Sequence, residues 1–410
     1  MVHSVTNVCD FGESPILSFE CCAIFCTNFE HVMKQILKRL VIGAFTLCLL
    51  NIFSCHSNPN SAVKSDIVWI KNDYASLFSL GCSESDSFLI LYSGNNNKTI
   101  LGQFFWGKSQ EISGYTKILT HKRIVSISST HTSMIAELGK LQDLVGVESK
   151  SYISHPLLYN KSSLQPLIEV APNGSILPET VFLCKPDLFI GYFVNGSDAA
   201  LIDRIGRNKF PVLWCQHHLE THPLGRAEWI HALSWILGNP IKGQQIFKQV
   251  KSDYEKIREK TSHVKFRPAV ASNIPYNGLW FVPQQEAYQK QIVYDAGGNL
   301  LVTPGQGTGT NILGIEQAIQ IFSKADIWIN TDLCSSRECI LAMDQRISSI
   351  KAFNNHHLYH YNKKLNPNGS NPYWDMGCIY PNLILQDLFM IFQDTTFDVE
   401  KSHYYLPCSK

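Results

Sequence analysis

The sequence predicts an α/β protein of two Rossmann-like lobes with parallel sheets, joined by one long backbone helix. Three observations lead to this fold class. From residue 122 onward, short apolar strands alternate with helices at the spacing of βαβ units, which build parallel sheets. Between Gly225 and Thr261 the apolar period becomes helical, without any stretch of linker composition. After that segment the alternation of strands and helices resumes.

The first 54 residues are predicted to be a leader and no part of the fold. A basic cluster at 33–39 precedes an uncharged, mostly apolar run of about 15 residues, which is the layout of a secretory signal peptide. The run is shorter than the roughly 20 residues that a helix needs to span a bilayer. We expect Met33 to be the true initiator, so that residues 1–32 belong to an overlong gene model.

Cys55 ends the apolar run and is followed by the polar stretch 56–60. This layout resembles the lipobox of bacterial lipoproteins, in which the cysteine is acylated and becomes the new N-terminus. We therefore expect a mature chain that begins at Cys55 and is anchored to a membrane by lipid, with its body outside the cytoplasm. The alternative is a buried helix that ends in an incidental cysteine.

Composition excludes some classes of function. The 410 residues carry 35 basic and 34 acidic side chains, for a formal net charge of +1, whereas a protein that binds nucleic acid electrostatically would show a basic stripe. The seven cysteines after Cys55 are odd in number and widely scattered, so we expect at most one or two disulfides. Cys334 and Cys339 lack a second pair for a zinc site and are interpreted as structural. No cofactor and no resident metal are predicted.

The elements follow in order along the chain. Residues 67–116 alternate polar and apolar side chains, which predicts a small antiparallel meander. In the first lobe Thr130 is expected to cap a helix that Gly139 ends. The predicted strands of this lobe are 123–128, 144–147, 187–191 and 211–214, with a further helix at 197–205. Those of the second lobe are 269–272, 279–282, 326–330 and 357–361, followed by a closing helix at 381–392.

These elements define four parts after the leader. Residues 55–118 form the tether and the meander, and residues 119–225 form the first lobe. Residues 226–262 form the backbone helix, with a break expected near 238–240, and residues 263–410 form the second lobe.

Several segments in a fixed order resemble class III periplasmic binding proteins, the substrate-binding proteins of ABC importers for iron–siderophore complexes, haem and cobalamin. The resemblance extends from about Tyr74 to Tyr405. The segments are Lys122–Ser128 with Ile135–Gly139 and Leu144–Val147, Glu179–Ile190, Asp295–Asn299, Ile315–Ile319, and Asn366–Asp375 with Pro381–Leu385. The last of them looks like a lipoprotein branch of the family that is common in Bacteroidetes.

The resemblance implies a monomeric, lipid-anchored protein that holds a metal chelate, haem or a corrinoid in a cleft between its lobes and delivers it to a permease dimer. It implies no catalysis, and the glycine-rich run 305–310 lacks the Lys-Ser/Thr ending of a phosphate-binding loop. Two other interpretations stay open. One is a metal-dependent envelope hydrolase that uses His217, Glu220 and His222, and the other is a receptor lipoprotein of the same fold that transports nothing.

Two groups of site residues are predicted. Glu179 and Glu316 match the glutamates, one on each lobe, that the resembled family docks onto permease arginines; ordinary solvated charges are the alternative. Candidate cleft residues follow the ends of strands, because strand ends face the ligand in open α/β sheets. They are Ser129, His131, Tyr192, Phe193, Trp214, Gln216 and His217 in the first lobe and Tyr276, Trp280, Asn330 and Thr331 in the second. Tyr373 and Trp374 are added from the C-terminal segment that resembles the family. The remaining histidines near 217–222 and 356–360 are expected to be ordinary surface residues.

Overall fold

The computed structural model describes residues 66–94, 98–119, 123–159, 166–193, 196–207, 209–331, 334–393 and 397–409. The predicted leader and Cys55 lie outside the described residues. All of the described residues belong to one compact unit, residues 63–410.

The meander is a five-stranded sheet at the start of the described chain. Its strands are antiparallel from β1 to β4, as the polar–apolar alternation predicts, and β5 adds in parallel. Leu89 and Leu91 belong to the main core, whereas Phe88 packs with Phe105 in a small core of its own. The strands are β1 Val68–Ile70, β2 Phe78–Cys82, β3 Asp86–Tyr92, β4 Ile100–Gly107 and β5 Thr116–Lys117.

The first lobe has a fully parallel sheet in the order β10-β9-β6-β7-β8. Its central strands are buried along their length, which is usual for parallel strands covered by helices on both faces. The strands are β6 Ile124–Ser126, β7 Leu144–Val147, β8 Ile168–Glu169, β9 Leu188–Gly191 and β10 Val212–Trp214. The helices are α1 Ser129–Glu137, α2 Pro156–Tyr159, α3 Pro178–Cys184 and α4 Gly196–Gly206.

The start of helix α1 differs by two residues from the sequence-based expectation. Ser128 is the cap, because its side chain accepts a hydrogen bond from the backbone N–H of His131, and the expected cap Thr130 lies inside the helix. Gly139 follows the helix end at φ +75°, a conformation that glycine adopts without strain.

The second lobe has a central sheet in the order β14-β11-β16-β17-β18, parallel except for β18, and a separate antiparallel sheet β12-β13-β15. Its strands are β11 Ala269–Ser272, β12 Pro275–Tyr276, β13 Leu279–Pro283, β14 Asn299–Leu300, β15 Thr310–Gly314, β16 Ile327–Ile329, β17 Leu358–His360 and β18 Leu406–Pro407. Its helices are α7 Tyr288–Asp295, α8 Ile315–Phe322, α9 Arg337–Met343, α10 Lys351–Asn354, α11 Pro372–Ile379 and α12 Pro381–Gln393. Cys334 and Cys339 form a disulfide.

Two helices connect the lobes where one was expected. Helix α5 spans Pro223–Ile236 and helix α6 spans Pro240–Thr261, with Gly238 at φ +70° between them. The helices pack antiparallel, since the ring of His222 lies 6.0 Å from that of Tyr254 and the ring of His231 lies 5.1 Å from that of Phe247. The predicted backbone helix over 226–262 is therefore corrected to a helical hairpin. Its 22-residue second arm measures about 33 Å.

The two arms of the hairpin pack closely next to the break. A Cβ added at Gly243 would lie 2.3 Å from the Ser234 Oγ atom and 3.1 Å from the Ile230 carbonyl oxygen. Glycine at this position lets the helix backbones approach as closely as they do. Helix α5 supplies eleven buried residues and helix α6 five, so the hairpin is part of the core.

A buried carboxylate joins the two lobes directly. Asp375 on α11 is 1 % exposed and accepts hydrogen bonds from the hydroxyls of Ser133 (2.7 Å) and Ser154 (2.5 Å) in the first lobe. Nearby, Glu137 on α1 accepts a hydrogen bond from the Tyr380 hydroxyl at 2.6 Å and lies 2.9 Å from His155. These contacts hold α11 against the first lobe.

Two further carboxylates, Glu220 just before the hairpin and Glu228 on helix α5, bind the chain that leads into the meander. Glu228 accepts three hydrogen bonds from the backbone N–H groups of residues 73–75, at 2.6–2.7 Å. Glu220 accepts hydrogen bonds from the N–H groups of Ser76 and Leu77 and from the indole of Trp229. Both glutamates are 2 % exposed, so these donors replace the water that each carboxylate loses on burial.

Candidate functional site

A cavity of about 500 Å³ lies between the two lobes. Its size is within the range of small-molecule binding sites, roughly 300–1,000 Å³. The first lobe, the hairpin and the second lobe all contribute to its wall. The lining residues are Ser128, Ser129, Thr130, Glu148, Ser151, Tyr152, Tyr192, His217, His218, Arg226, Tyr361, Asn362, Leu365, Gly369, Ser370, Asn371 and Trp374.

The topology of the first sheet brings its part of this wall together. Ser129 follows β6, Glu148 follows β7, Tyr192 follows β9 and His217 follows β10. These strands are all parallel, so their carboxyl ends lie at one edge of the sheet, where ligands bind in open α/β folds. The wall of the second lobe begins with Tyr361, which follows β17 in the same way.

Four of the predicted cleft residues line this cavity: Ser129, Tyr192, His217 and Trp374. Trp374 is 52 % exposed and packs edge-on against Tyr361 and Tyr373. The structure thus brings three strand-end residues of the first lobe and Trp374, from the C-terminal segment, to one cavity. Whether these side chains contact a ligand stays a prediction.

Two predicted residues lie just behind the wall. His131 is fully buried, and its Nε2 atom lies 2.9 Å from the Nδ1 atom of His217. Tyr373 is 6 % exposed and stacks on the Tyr361 ring with 4.3 Å between ring centroids. Both residues support side chains that line the cavity and are not themselves part of its lining.

The other predicted cleft residues lie away from this cavity. Trp214 packs in the first-lobe core against Phe193 and donates a hydrogen bond to Asp203, and Gln216 is also buried. Trp280 is buried against Trp328, because it occupies an inward position of β13. The remaining three are Tyr276, which is 70 % exposed on β12, Asn330, which accepts a hydrogen bond from Tyr405, and Thr331, which is buried and donates to the Cys334 carbonyl.

Several residues that line the cavity are not among the predicted cleft residues. Glu148 directly follows a predicted strand, so the strand-end rule that selected Tyr192 would also have selected it. Arg226 lies on helix α5, and its position at the cavity follows only from the fold of the hairpin. Tyr361 is the last residue of the strand predicted over 357–361, so the strand-end rule would also have selected it.

The imidazoles at the cavity are uncharged at neutral pH. Burial lowers the pKa of His131 to about 3 and that of His218 to about 4, and in His218 the charge of Arg226 adds to this effect. The pKa of His217 is also far below its usual range, mainly because of burial. His217 was predicted to be either a ligand contact or an ordinary surface histidine. It is only 3 % exposed, and His360 is only 6 % exposed, so neither is an ordinary surface histidine.

One carboxyl group at the cavity titrates near neutrality. Burial raises the pKa of Glu148 to about 7, and no neighbouring charge contributes to this shift. The cavity therefore combines one permanent cation, Arg226, one carboxyl group that is partly protonated near pH 7, neutral imidazoles and four aromatic rings. Such a surface can bind an organic ligand through ring contacts and a small number of oriented polar groups.

The residues of the hydrolase interpretation have other roles. The carboxylate of Glu220 is occupied by donors from residues 76, 77 and 229. The side chain of His222 caps helix α5 by accepting the N–H of Leu224 and stacks on Tyr74. Within the part of the chain that the structure describes, no group of three or more His, Cys, Asp or Glu side chains is placed to hold a metal ion.

Glu179 and Glu316 occupy corresponding positions in the two lobes. Each lies in the first turn of a helix, α3 or α8, and each is exposed. Glu316 forms an ion pair with Arg346 at 2.6 Å, with 76 % and 50 % of the two side chains exposed. A pair this exposed is worth about 1 kcal/mol or less, so Glu316 stays available to a partner.

Comparison with known proteins identifies the family. The model of the family described as periplasmic binding protein matches residues 124–365, more than half of the chain. An uncharacterized lipoprotein of Methanocaldococcus jannaschii is similar, at 21 % identity over 293 residues, which are 69 % of this chain and 68 % of that protein.

Solved structures share the fold. A periplasmic binding protein from Veillonella parvula is 17 % identical with a TM-score of 0.55 and covers 74 % of this chain and 97 % of its own. The apo form of the periplasmic haem-binding protein RhuT from Roseiflexus sp. RS-1 is also 17 % identical, with a TM-score of 0.51, and covers 67 % of this chain and 98 % of its own.

The two-lobed architecture and the interlobe cavity are those of a substrate-binding protein. The chain belongs to the periplasmic binding protein family. The resemblance and the predicted two-lobed α/β fold with parallel sheets are thus confirmed, with the single backbone helix replaced by the hairpin. Among the described residues, no helix is long and apolar enough to cross a membrane.

Proposed function

We propose that this protein is the lipid-anchored substrate-binding component of an ABC importer and that its cargo is an iron chelate, haem or cobalamin. One observation carries the proposal: a cavity of about 500 Å³ whose wall comes from both lobes at the carboxyl ends of parallel strands. Family membership supports a transport role, and the similarity to a haem-binding protein supports a large planar cargo. The aromatic side chains at 152, 192, 361 and 374 suit such a cargo.

Binding by capture between the lobes fits the contacts at the interface. Asp375 and its two serine partners join the lobes beside the cavity, and Trp374, the neighbouring residue, lines it. A cargo in this position contacts both lobes at once, so the permease can sense occupancy through their relative position. We expect the two lobes to move relative to each other by a small hinge rotation about the helical hairpin.

Ligand binding can be tested with purified protein and three probes: hemin, ferrichrome and cyanocobalamin. We expect one of them to quench tryptophan fluorescence with a dissociation constant in the micromolar range or lower, because Trp374 lines the cavity. In Trp374→Phe most of the quenching should be lost. In Trp69→Phe, which removes a half-exposed indole from edge strand β1, it should persist. Absence of binding for all three probes would contradict the proposed cargo and favour the non-transporting receptor.

We also propose that Glu179 and Glu316 dock onto arginines of the permease. Their exposure and their corresponding places at the starts of α3 and α8 support this role. The double variant Glu179→Arg/Glu316→Arg should retain ligand affinity and lose most transport, since like charges across an interface cost several kcal/mol. Transport is measured as the uptake of labelled ligand by cells or proteoliposomes.

A matched control separates docking from a general effect of charge. The double variant Glu111→Arg/Glu259→Arg changes two other exposed glutamates by the same amount, and it should transport normally. Equal transport by the two double variants, or loss of ligand binding in the first, would show that Glu179 and Glu316 are not docking residues.

The lipid anchor is proposed to be attached to Cys55. The lipobox-like sequence supports it, and the similar archaeal protein is described as a lipoprotein. The expected triacyl cysteine supplies more than one chain, which stable anchoring requires. Cells fed labelled palmitate should label the wild-type protein and not Cys55→Ser, which should leave the membrane fraction. Labelling of the serine variant would exclude Cys55 as the anchor and leave the proposed cargo untouched.

A further inference from the structure

Arg226 is the one Lys or Arg side chain among the described residues that line the interlobe cavity. It lies on helix α5 of the hairpin and lines the interlobe cavity, together with residues of both lobes. It also lines a smaller adjoining cavity with Tyr288, Tyr373 and Cys378. The guanidinium carbon lies 3.9 Å from the centroid of the Tyr288 ring, so the cation is held against a second-lobe residue.

Nothing in the described part of the protein neutralises this cation. No described carboxylate forms an ion pair with Arg226. Its buried Nε atom has no hydrogen-bond partner. The guanidinium hydrogen-bonds to the phenol of Tyr288 and the thiol of Cys378, neither of which is a carboxylate. Arg226 is half-buried. A guanidinium that is partly removed from water without an acidic partner is costly, and proteins normally pair such a charge.

The surroundings of Arg226 are arranged for an anion. His217 and His218 lie close enough for its charge to lower the pKa of each, after the larger effect of burial. Glu148 lines the same cavity, but among the described residues it forms no ion pair with Arg226. The cavity therefore has a positive end at Arg226 and a carboxyl group elsewhere in its wall.

We infer that Arg226 binds a carboxylate of the cargo, which makes the cargo an anionic, carboxylate-bearing ligand and not a neutral chelate or corrinoid. A carboxylate matches the planar fork of N–H donors that guanidinium presents. The inference rests on the proposed function and narrows its three cargo classes. Of the probes named above, hemin bears two carboxylates, whereas ferrichrome and cyanocobalamin carry no net charge.

The test compares two ligands that differ only in the carboxylates, hemin and hemin dimethyl ester. Wild-type protein should bind hemin about 30-fold or more tightly than the ester, the lower limit for truncating one partner of a buried charge pair. Arg226→Gln should lose about the same factor for hemin and leave the affinity for the ester almost unchanged. Arg226→Lys keeps the charge without the fork and should bind hemin with intermediate affinity.

The matched control is Arg204→Gln, which removes an exposed arginine from helix α4 and should leave hemin binding unchanged. Circular dichroism and urea unfolding of each variant show whether it is folded. If Arg226→Gln does not fold, the ratio of the wild-type affinities for hemin and for its ester tests the inference by itself.

The outcomes separate this inference from the proposed function. Equal affinity of the wild type for hemin and its ester overturns the inference, as does tight binding of ferrichrome or cyanocobalamin that Arg226→Gln leaves unchanged. Either result leaves the importer proposal standing. Failure of the wild type to bind any of these ligands overturns the proposed cargo itself, and the inference with it.

Discussion

Burial of the Asp375 carboxylate between the lobes is the interaction on which the cavity depends. A carboxylate removed from water loses several kcal/mol of solvation, and the hydroxyls of Ser133 and Ser154 replace part of it. Both serines belong to the first lobe and Asp375 to the second, so these two hydrogen bonds exist only while the lobes are together, whereas the backbone N–H of Met376 donates from the same lobe. This contact positions helix α11, and with it Trp374 at the cavity wall.

Buried carboxylates also hold segments that regular secondary structure does not. Glu228 and Glu220 accept hydrogen bonds from the backbone N–H groups of residues 73–77, where the chain enters the meander. Asp387 on α12 does the same for residues 403–405, before the closing strand β18. Unpaired backbone donors are costly when buried, and an acidic side chain satisfies several at once. The segments that lead into the meander and into strand β18 are fixed to the core in this way.

The sequence predicted much of the fold because strand spacing and helical period depend on local pattern. The strand-end rule found Ser129, Tyr192 and His217, since their positions follow from sheet order alone. It failed for Trp214 and Trp280, because side-chain direction alternates along a strand and the pattern did not fix which face each indole takes. The break near Gly238 was predicted, but the antiparallel packing of the two arms, with Gly243 against Ser234, is seen only in the tertiary structure.

Hydrogen–deuterium exchange with and without bound hemin tests most directly whether the interlobe cavity is the ligand site. We predict that hemin slows exchange in peptides from both lobes, around residues 148–152 and 192 in the first and 361–374 in the second. Peptides of the meander and of the outer surface of α4 should be unchanged. Protection confined to one lobe, or centred on the separate cavity formed by the C-terminal end of α6 and helix α7, would contradict binding between the lobes.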